Sequence, residues 1–199
     1  VCVPNALDLA QYPPDDHATN ASNSHDIVLP GSFDYTPNAV AARMLRDHVF
    51  PRVKRTIPDA RILLVGRDTR GWADELTNGG DVLATGLVPD TQPYFRAAGV
   101  VAVPILQGSG TRFKILEALA LGRPVVTTPL GTEGLAVRDG EHLLIRELND
   151  FPEAIISLLS DPSRGRELGR SGRQLVETEY SWCAVERLLR EQIELIGRT

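Results

Sequence analysis

The chain has 199 residues, 42% of them apolar, which is enough for a full hydrophobic core in one domain, or in one domain with a long tail. Its 21 Lys and Arg against 26 Asp and Glu leave a net charge of −5, without the basic footprint of a nucleic-acid binder, and all but two of the basic residues are arginine. No apolar run reaches the roughly 18 residues of a membrane span and no secretory leader pattern is present, so a soluble, cytoplasmic protein is expected.

Residues 1–25 read as a linker or edge segment. Asp8 to His25 is rich in Pro, Asp, Asn and Ser, and Val1 to Leu9 is either the end of a preceding unit or the rim of this one. The domain proper is expected over residues 26–199. Its strands and helices alternate: a strand at Ile27–Leu29, a helix from about Asn38 to Lys54, a strand at Ile62–Val65, and a short helix around Trp72 to Leu76. A strand at Val82–Ala84, a helix from Thr91 to Arg96 and a strand at Val100–Val103 follow. After a glycine-rich loop, a helix runs to Leu121 with Gly122 as its stop, and two more strands are expected at Pro124–Thr128 and His142–Ile145. Two or three helices are expected to close the chain, at about Phe151–Leu159, Ser163–Thr178 and Ser181–Ile196. The last carries an apolar stripe of Trp182, Val185, Leu188, Leu189, Ile193 and Ile196, which is expected to pack on the domain.

Unbroken apolar strands separated by helices indicate a doubly wound α/β domain whose parallel sheet is covered on both faces. Ligands bind such sheets beyond the carboxyl ends of the strands. The loops to watch begin at Gly31, Gly66, Gly86, Gln107 and Gly131.

Gly108 to Ala120 reads Gly-Ser-Gly-Thr-Arg-Phe-Lys-Ile-Leu-Glu-Ala-Leu-Ala. A glycine loop opening a helix presents free N–H groups and a positive dipole end, which favour a phosphate, and Arg112 and Lys114 add cationic side chains. Glu117 lies six residues beyond Thr111, about 9 Å along the axis at roughly 1.5 Å per residue, among Ile115, Leu116, Ala118 and Leu119. A carboxylate in that setting needs a specific partner. A diphosphate at the helix start with a ribose diol one to two turns on, as in a nucleotide sugar, meets the requirement. So does a structural arginine, with Arg112 and Lys114 solvated.

The Gly108–Phe113 string lacks the third glycine of a dinucleotide fingerprint and comes late in the sheet, which argues against a nicotinamide enzyme. Cys2 and Cys183 have no metal-ligand spacing, His17, His25, His48 and His142 have no partner motif, and no metal site is visible. Tyr94 reads as a core or surface aromatic, Glu133 as a solvated loop carboxylate, and the sequon at Asn20 is discounted as short enough to arise by chance.

The signature helix, Gly122-Arg123-Pro124-Val125-Val126-Thr127-Thr128 and Gly131-Thr132-Glu133-Gly134-Leu135 together resemble the C-terminal half of GT-B glycosyltransferases, family 4, group 1. Val3-Pro4-Asn5-Ala6-Leu7-Asp8, Gly31 to Asn38, and Glu179-Tyr180-Ser181-Trp182 extend the likeness along the whole chain in order. The resemblance implies a Rossmann-like half that binds a nucleotide-sugar donor, UDP- or GDP-linked, in a two-domain retaining enzyme that needs no metal. An N-terminal acceptor domain is absent from this chain, so the isolated half is expected to be inactive and to self-associate through its open cleft wall. Bacterial surface polysaccharide or glycolipid synthesis, at the inner membrane face, is the implied setting.

By resemblance Glu117 is the second acid of the family's glutamate pair, the one that holds the ribose hydroxyls. The first acid is replaced by Ser109. That departure means either backbone N–H groups and the Ser109 hydroxyl in its place, or weakened sugar contacts. The first loop lacks the family's Arg and Lys, so Arg112 and Lys114 are the candidates for stabilising the leaving diphosphate, with Arg67 as a third. Gly31, Gly66, Val88, Gly110 and Thr111 are expected to complete the donor site, the glycines by close backbone approach. A docking module that has lost catalysis, or an epimerase or phosphorylase relative, would share many of these features.

Overall fold

The computed structural model describes residues 3–14, 24–77, 80–108, 110 and 112–196. Six strands form one parallel sheet: β1 (Asp26–Pro30), β2 (Arg61–Val65), β3 (Val82–Ala84), β4 (Val100–Val103), β5 (Val125–Thr127) and β6 (Leu144–Ile145). Their order across the sheet is β3-β2-β1-β4-β5-β6. β4 and β5 are buried along their whole length and β1 from Ile27 on, because helices cover both faces of the sheet. This is the doubly wound α/β architecture that the alternating pattern implies.

Helix α1 begins as Thr36–Met44, widens into a π-turn over Leu45–Val49, and continues as Phe50–Thr56. Pro51 explains the widening. It has no N–H to offer and its ring would crowd the carbonyl four residues back, so the Phe50 N–H reaches instead to the Leu45 carbonyl. The remaining helices are α2 (Gln92–Ala97), α3 (Phe113–Ala120), α4 (Phe151–Ser160), α5 (Pro162–Leu175) and α6 (Trp182–Ile196), with a π-turn at Val176–Tyr180 between the last two. Asp161 caps α5 by accepting from the Ser163 and Arg164 amides at 3.1 and 3.3 Å. The chain turns out of α3 at Gly122 (φ +67°), where Gly169 of α5 comes so close that a Cβ there would stand 2.0 Å from the Gly122 carbonyl oxygen.

The segment before the sheet joins the domain body at its far end. Leu7 is 3% exposed within the core, its N–H donates to the Tyr180 carbonyl at 2.7 Å, and its carbonyl accepts from the Trp182 amide at 3.2 Å. Residues 15–23, which hold half of the Asp8–His25 linker expectation and the sequon, lie outside the described residues, as does Cys2.

Two local expectations are corrected. The helix around Trp72 to Leu76 is only a 3-10 turn, Asp74–Leu76, because the Asp68 carboxylate takes the Trp72, Ala73 and Asp74 amides and holds the preceding residues in a loop. The stripe on α6 does not pack as a whole: Val185 is buried, but Trp182, Leu189 and Ile193 are 61, 39 and 68% exposed. Among the described residues, no helix is long and apolar enough to cross a membrane.

Candidate functional site

After β1 the chain moves towards β2, and after β4 it moves towards β5. The loops leaving these neighbouring strands therefore diverge and open a crevice at their carboxyl ends, the switch point where doubly wound sheets take ligands. A recess of about 190 Å³ lies there, lined by Tyr35 and Asn38 after β1 and by Gly108, Gly110, Arg112 and Lys114 after β4.

The two sides are locked together. Asn38, buried at the start of α1, donates through Nδ2 to the Ser32 carbonyl at 2.8 Å and accepts the Lys114 ammonium on Oδ1 at 2.5 Å. Gly31 allows this closeness: a Cβ there would stand 2.7 Å from Asn38 Nδ2 and 2.9 Å from Lys114 Nζ. Gly66, at φ +139°, lets the next loop cross beneath, since a Cβ on it would stand 2.1 Å from the Gly31 carbonyl oxygen. The Gly31 N–H is taken by the Val65 carbonyl at 2.9 Å, so Gly31 shapes the recess without offering its amide.

Arg112 precedes α3, whose first turn has no side-chain cap. Its side chain is only 10% exposed. Nη1 donates to the Gly110 carbonyl at 2.7 Å and Nη2 stands 3.4 Å from the exposed Glu133 carboxylate, while Nε is buried with no partner among the described residues. The Ser32 hydroxyl is likewise buried, with no partner among the described residues. Buried donors of this kind carry a desolvation cost until a ligand satisfies them. Burial, and then the Arg112 charge, push the Lys114 ammonium down to about 8, against a weaker pull from Glu117. Two cations thus stand at one recess with few carboxylates to neutralise them.

Glu117 sits one turn beyond Lys114 on the same helix. Burial raises its pKa, opposed by a hydrogen bond from Tyr12 and by the Lys114 charge. The Tyr12 hydroxyl donates to Glu117 Oε1 at 2.8 Å, so the partner that a buried carboxylate needs is a phenol from the N-terminal segment and not an arginine.

The other expected residues are less central. Arg67 is 57% exposed and paired with Asp34 at 2.9 Å, which removes its charge from the recess. Val88 is half-buried against the core. Gly110 is exposed with open space where a Cβ would go, so close packing does not require a glycine there. Ser109 and Thr111 lie outside the described residues. Among the described residues no group of three or more His, Cys, Asp and Glu could hold a metal. Asn38, Ser32 and Tyr12 were not singled out from sequence; an asparagine closing the first glycine loop was the one local signal available.

In sequence and fold the chain is similar to known glycosyltransferases. The family model described as glycosyl transferases group 1 matches residues 24–161. The chain is 27% identical over 201 residues to a GDP-mannose-dependent monoacylated alpha-(1-6)-phosphatidylinositol monomannoside mannosyltransferase of Corynebacterium glutamicum, an alignment covering 90% of this chain and 52% of that protein. It thus spans about half the length of that relative. Its fold matches Anabaena HepE, solved in complex with UDP and glucose, with a TM-score of 0.73 at 15% identity over 96% of this chain and 55% of that one. It also matches the C-terminal domain of the group 1 family protein LpcC from Francisella tularensis, with a TM-score of 0.67 at 16% identity, over 89% of this chain and 100% of that domain.

Proposed function

Since the chain belongs to the glycosyl transferases of group 1, we propose that it forms the donor-binding half of a retaining glycosyltransferase that uses a UDP- or GDP-linked sugar. The observation that carries this reading is the pairing of Arg112, whose buried Nε has no partner among the described residues, and Lys114 at the switch-point recess, followed one turn later by the half-buried Glu117 carboxylate. The diphosphate lies against the two cations and the open first turn of α3, and Glu117 accepts from the ribose hydroxyls.

As the glycosidic bond breaks, negative charge grows on the leaving diphosphate. Arg112 and Lys114 stabilise it through prepositioned charge and hydrogen bonds, and neither needs to move a proton. No metal is needed in this scheme. The acceptor is bound by a second domain of similar size, so the half alone turns over little. The phosphatidylinositol-linked substrate in the name of the Corynebacterium relative supports a glycolipid acceptor.

The test is calorimetric titration with UDP, GDP and ADP, repeated on Glu117→Ala. One nucleotide is expected to bind saturably, with the loss of the charged hydrogen bonds weakening it about ten- to a hundredfold. Equal affinity of the variant and the parent refutes the assignment of Glu117, and no binding of any nucleotide favours a docking module. The anomeric configuration of the product formed by the two-domain enzyme tests retention.

A further inference from the structure

Tyr12 is a residue that the donor reading does not use. It lies 105 positions before Glu117, outside the sheet, yet its hydroxyl makes the one side-chain hydrogen bond to that carboxylate among the described residues. The backbone around it is gripped by three side chains from two helices. Gln92 Nε2 of α2 donates to the Gln11 carbonyl at 2.6 Å, Arg173 Nη1 of α5 to the Tyr12 carbonyl at 2.5 Å, and Arg96 Nη2 of α2 to the Pro13 carbonyl at 2.9 Å. The Arg173 guanidinium also reaches the Ala120 carbonyl at the end of α3, so one side chain ties the Tyr12 backbone to the helix that bears Glu117. Asp8 caps the short turn Leu9–Gln11 before it, accepting from the Ala10 amide at 3.1 Å. A surface phenol held only by chance would not have three consecutive carbonyls satisfied by three different side chains.

We propose that Tyr12 is a positioning residue of the donor site: its clamped hydroxyl fixes Glu117 through Oε1, leaving Oε2 to accept the hydroxyl pair of the nucleotide ribose. This rests on the reading of Glu117 as the diol acceptor. A carboxylate offers about four lone-pair directions, so one phenol leaves room for two ligand hydroxyls. A glutamate free to rotate would lose binding energy to ordering its side chain when ligand arrives, and the clamp removes that cost in advance. The phenol also favours the ionised carboxylate against its half-buried setting, as does Lys114 on the same helix. Asp90, which precedes α2, faces Tyr12 as well, and Arg112 acts on Lys114.

The test is a double-mutant cycle on the whole chain, titrating UDP and GDP against the parent, Tyr12→Phe, Glu117→Ala and the double variant. Phenylalanine keeps the ring and removes only the hydroxyl, and thermal denaturation checks that each variant is folded. Tyr12→Phe is expected to weaken the bound nucleotide about tenfold, an effect that shrinks to within about twofold in the Glu117→Ala background. It is expected to shrink likewise with the 2′,3′-dideoxy form of the same diphosphate. Binding requires the ionised carboxylate, so the acid limb of the affinity profile should move to higher pH in Tyr12→Phe. Unchanged affinity and an unmoved limb overturn the proposal and leave Tyr12 a packing residue. Tighter binding also overturns it, since the phenol would then compete with the ligand for Glu117. If Glu117→Ala binds as the parent does, or the parent binds neither nucleotide, the donor reading itself fails and takes this proposal with it.

Discussion

Replacing Arg112 by alanine should separate binding from stability. In the unliganded chain the guanidinium gains little: one hydrogen bond to its own loop at Gly110, a 3.4 Å contact with the exposed Glu133, and a buried Nε with nothing to donate to. The Gly110 hydrogen bond contributes about 0.5 to 1.5 kcal/mol and the pair with the exposed Glu133 about 0 to 1 kcal/mol, whereas leaving a buried donor unsatisfied costs about 1 to 3 kcal/mol, so gain and cost nearly cancel. Removing the side chain should therefore change folding stability by no more than about 1 kcal/mol in either direction. Nucleotide binding should behave differently. A charge-assisted hydrogen bond to a diphosphate contributes about 1.5 to 3 kcal/mol, so affinity should fall roughly ten- to 150-fold. Arg112→Lys should recover only part of this, because an ammonium provides charge without the planar fork. Calorimetry with UDP and GDP gives the affinity and urea denaturation the stability. An Arg112→Ala variant that binds like the parent, or one that loses several kcal/mol of stability, would refute the reasoning.

Lys114 titrates near 8 in the free chain and is needed as a cation, so affinity for the diphosphate should fall as pH rises through about 8, while the parent keeps full affinity near pH 7. Lys114→Gln should bind more weakly at pH 7 and lack that alkaline limb, which calorimetry across pH 6 to about 9.5 would reveal. Gly66→Ala should cost at least about 2 kcal/mol of stability in urea denaturation, since its Cβ meets the Gly31 carbonyl oxygen at 2.1 Å. Gly86→Ala, at φ +64° in open space, should cost only the strain of a left-handed backbone, about 1 to 2 kcal/mol.

The sheet was legible because each strand before β6 is a short apolar run closed within two residues by glycine or proline, and burial on both faces demands apolar composition. Helix α3 was legible from its glycine loop and its apolar stretch, and Glu117 stood out as the one carboxylate inside it. Sequence left open what that charge meets, because Tyr12 reaches it across 105 residues and is held by Gln92, Arg96 and Arg173, none adjacent in the chain. The stripe on α6 failed for a related reason. Periodicity identifies a face that favours burial but not the surface that covers it, and among the described residues the domain body buries Val185 while leaving Trp182, Leu189 and Ile193 exposed. The turn at Asp74–Leu76 was misread because the Asp68 carboxylate takes three successive amides, a local competition that residue pattern does not reveal.

The most direct test of the donor site is a crystal structure of the chain with UDP or GDP bound. The account predicts the diphosphate in the recess between the Gly31 loop and Arg112, with a phosphate oxygen on Arg112 Nε and the ribose hydroxyls on Glu117 Oε2. A nucleotide seated elsewhere, or one whose ribose leaves Glu117 untouched, would contradict it.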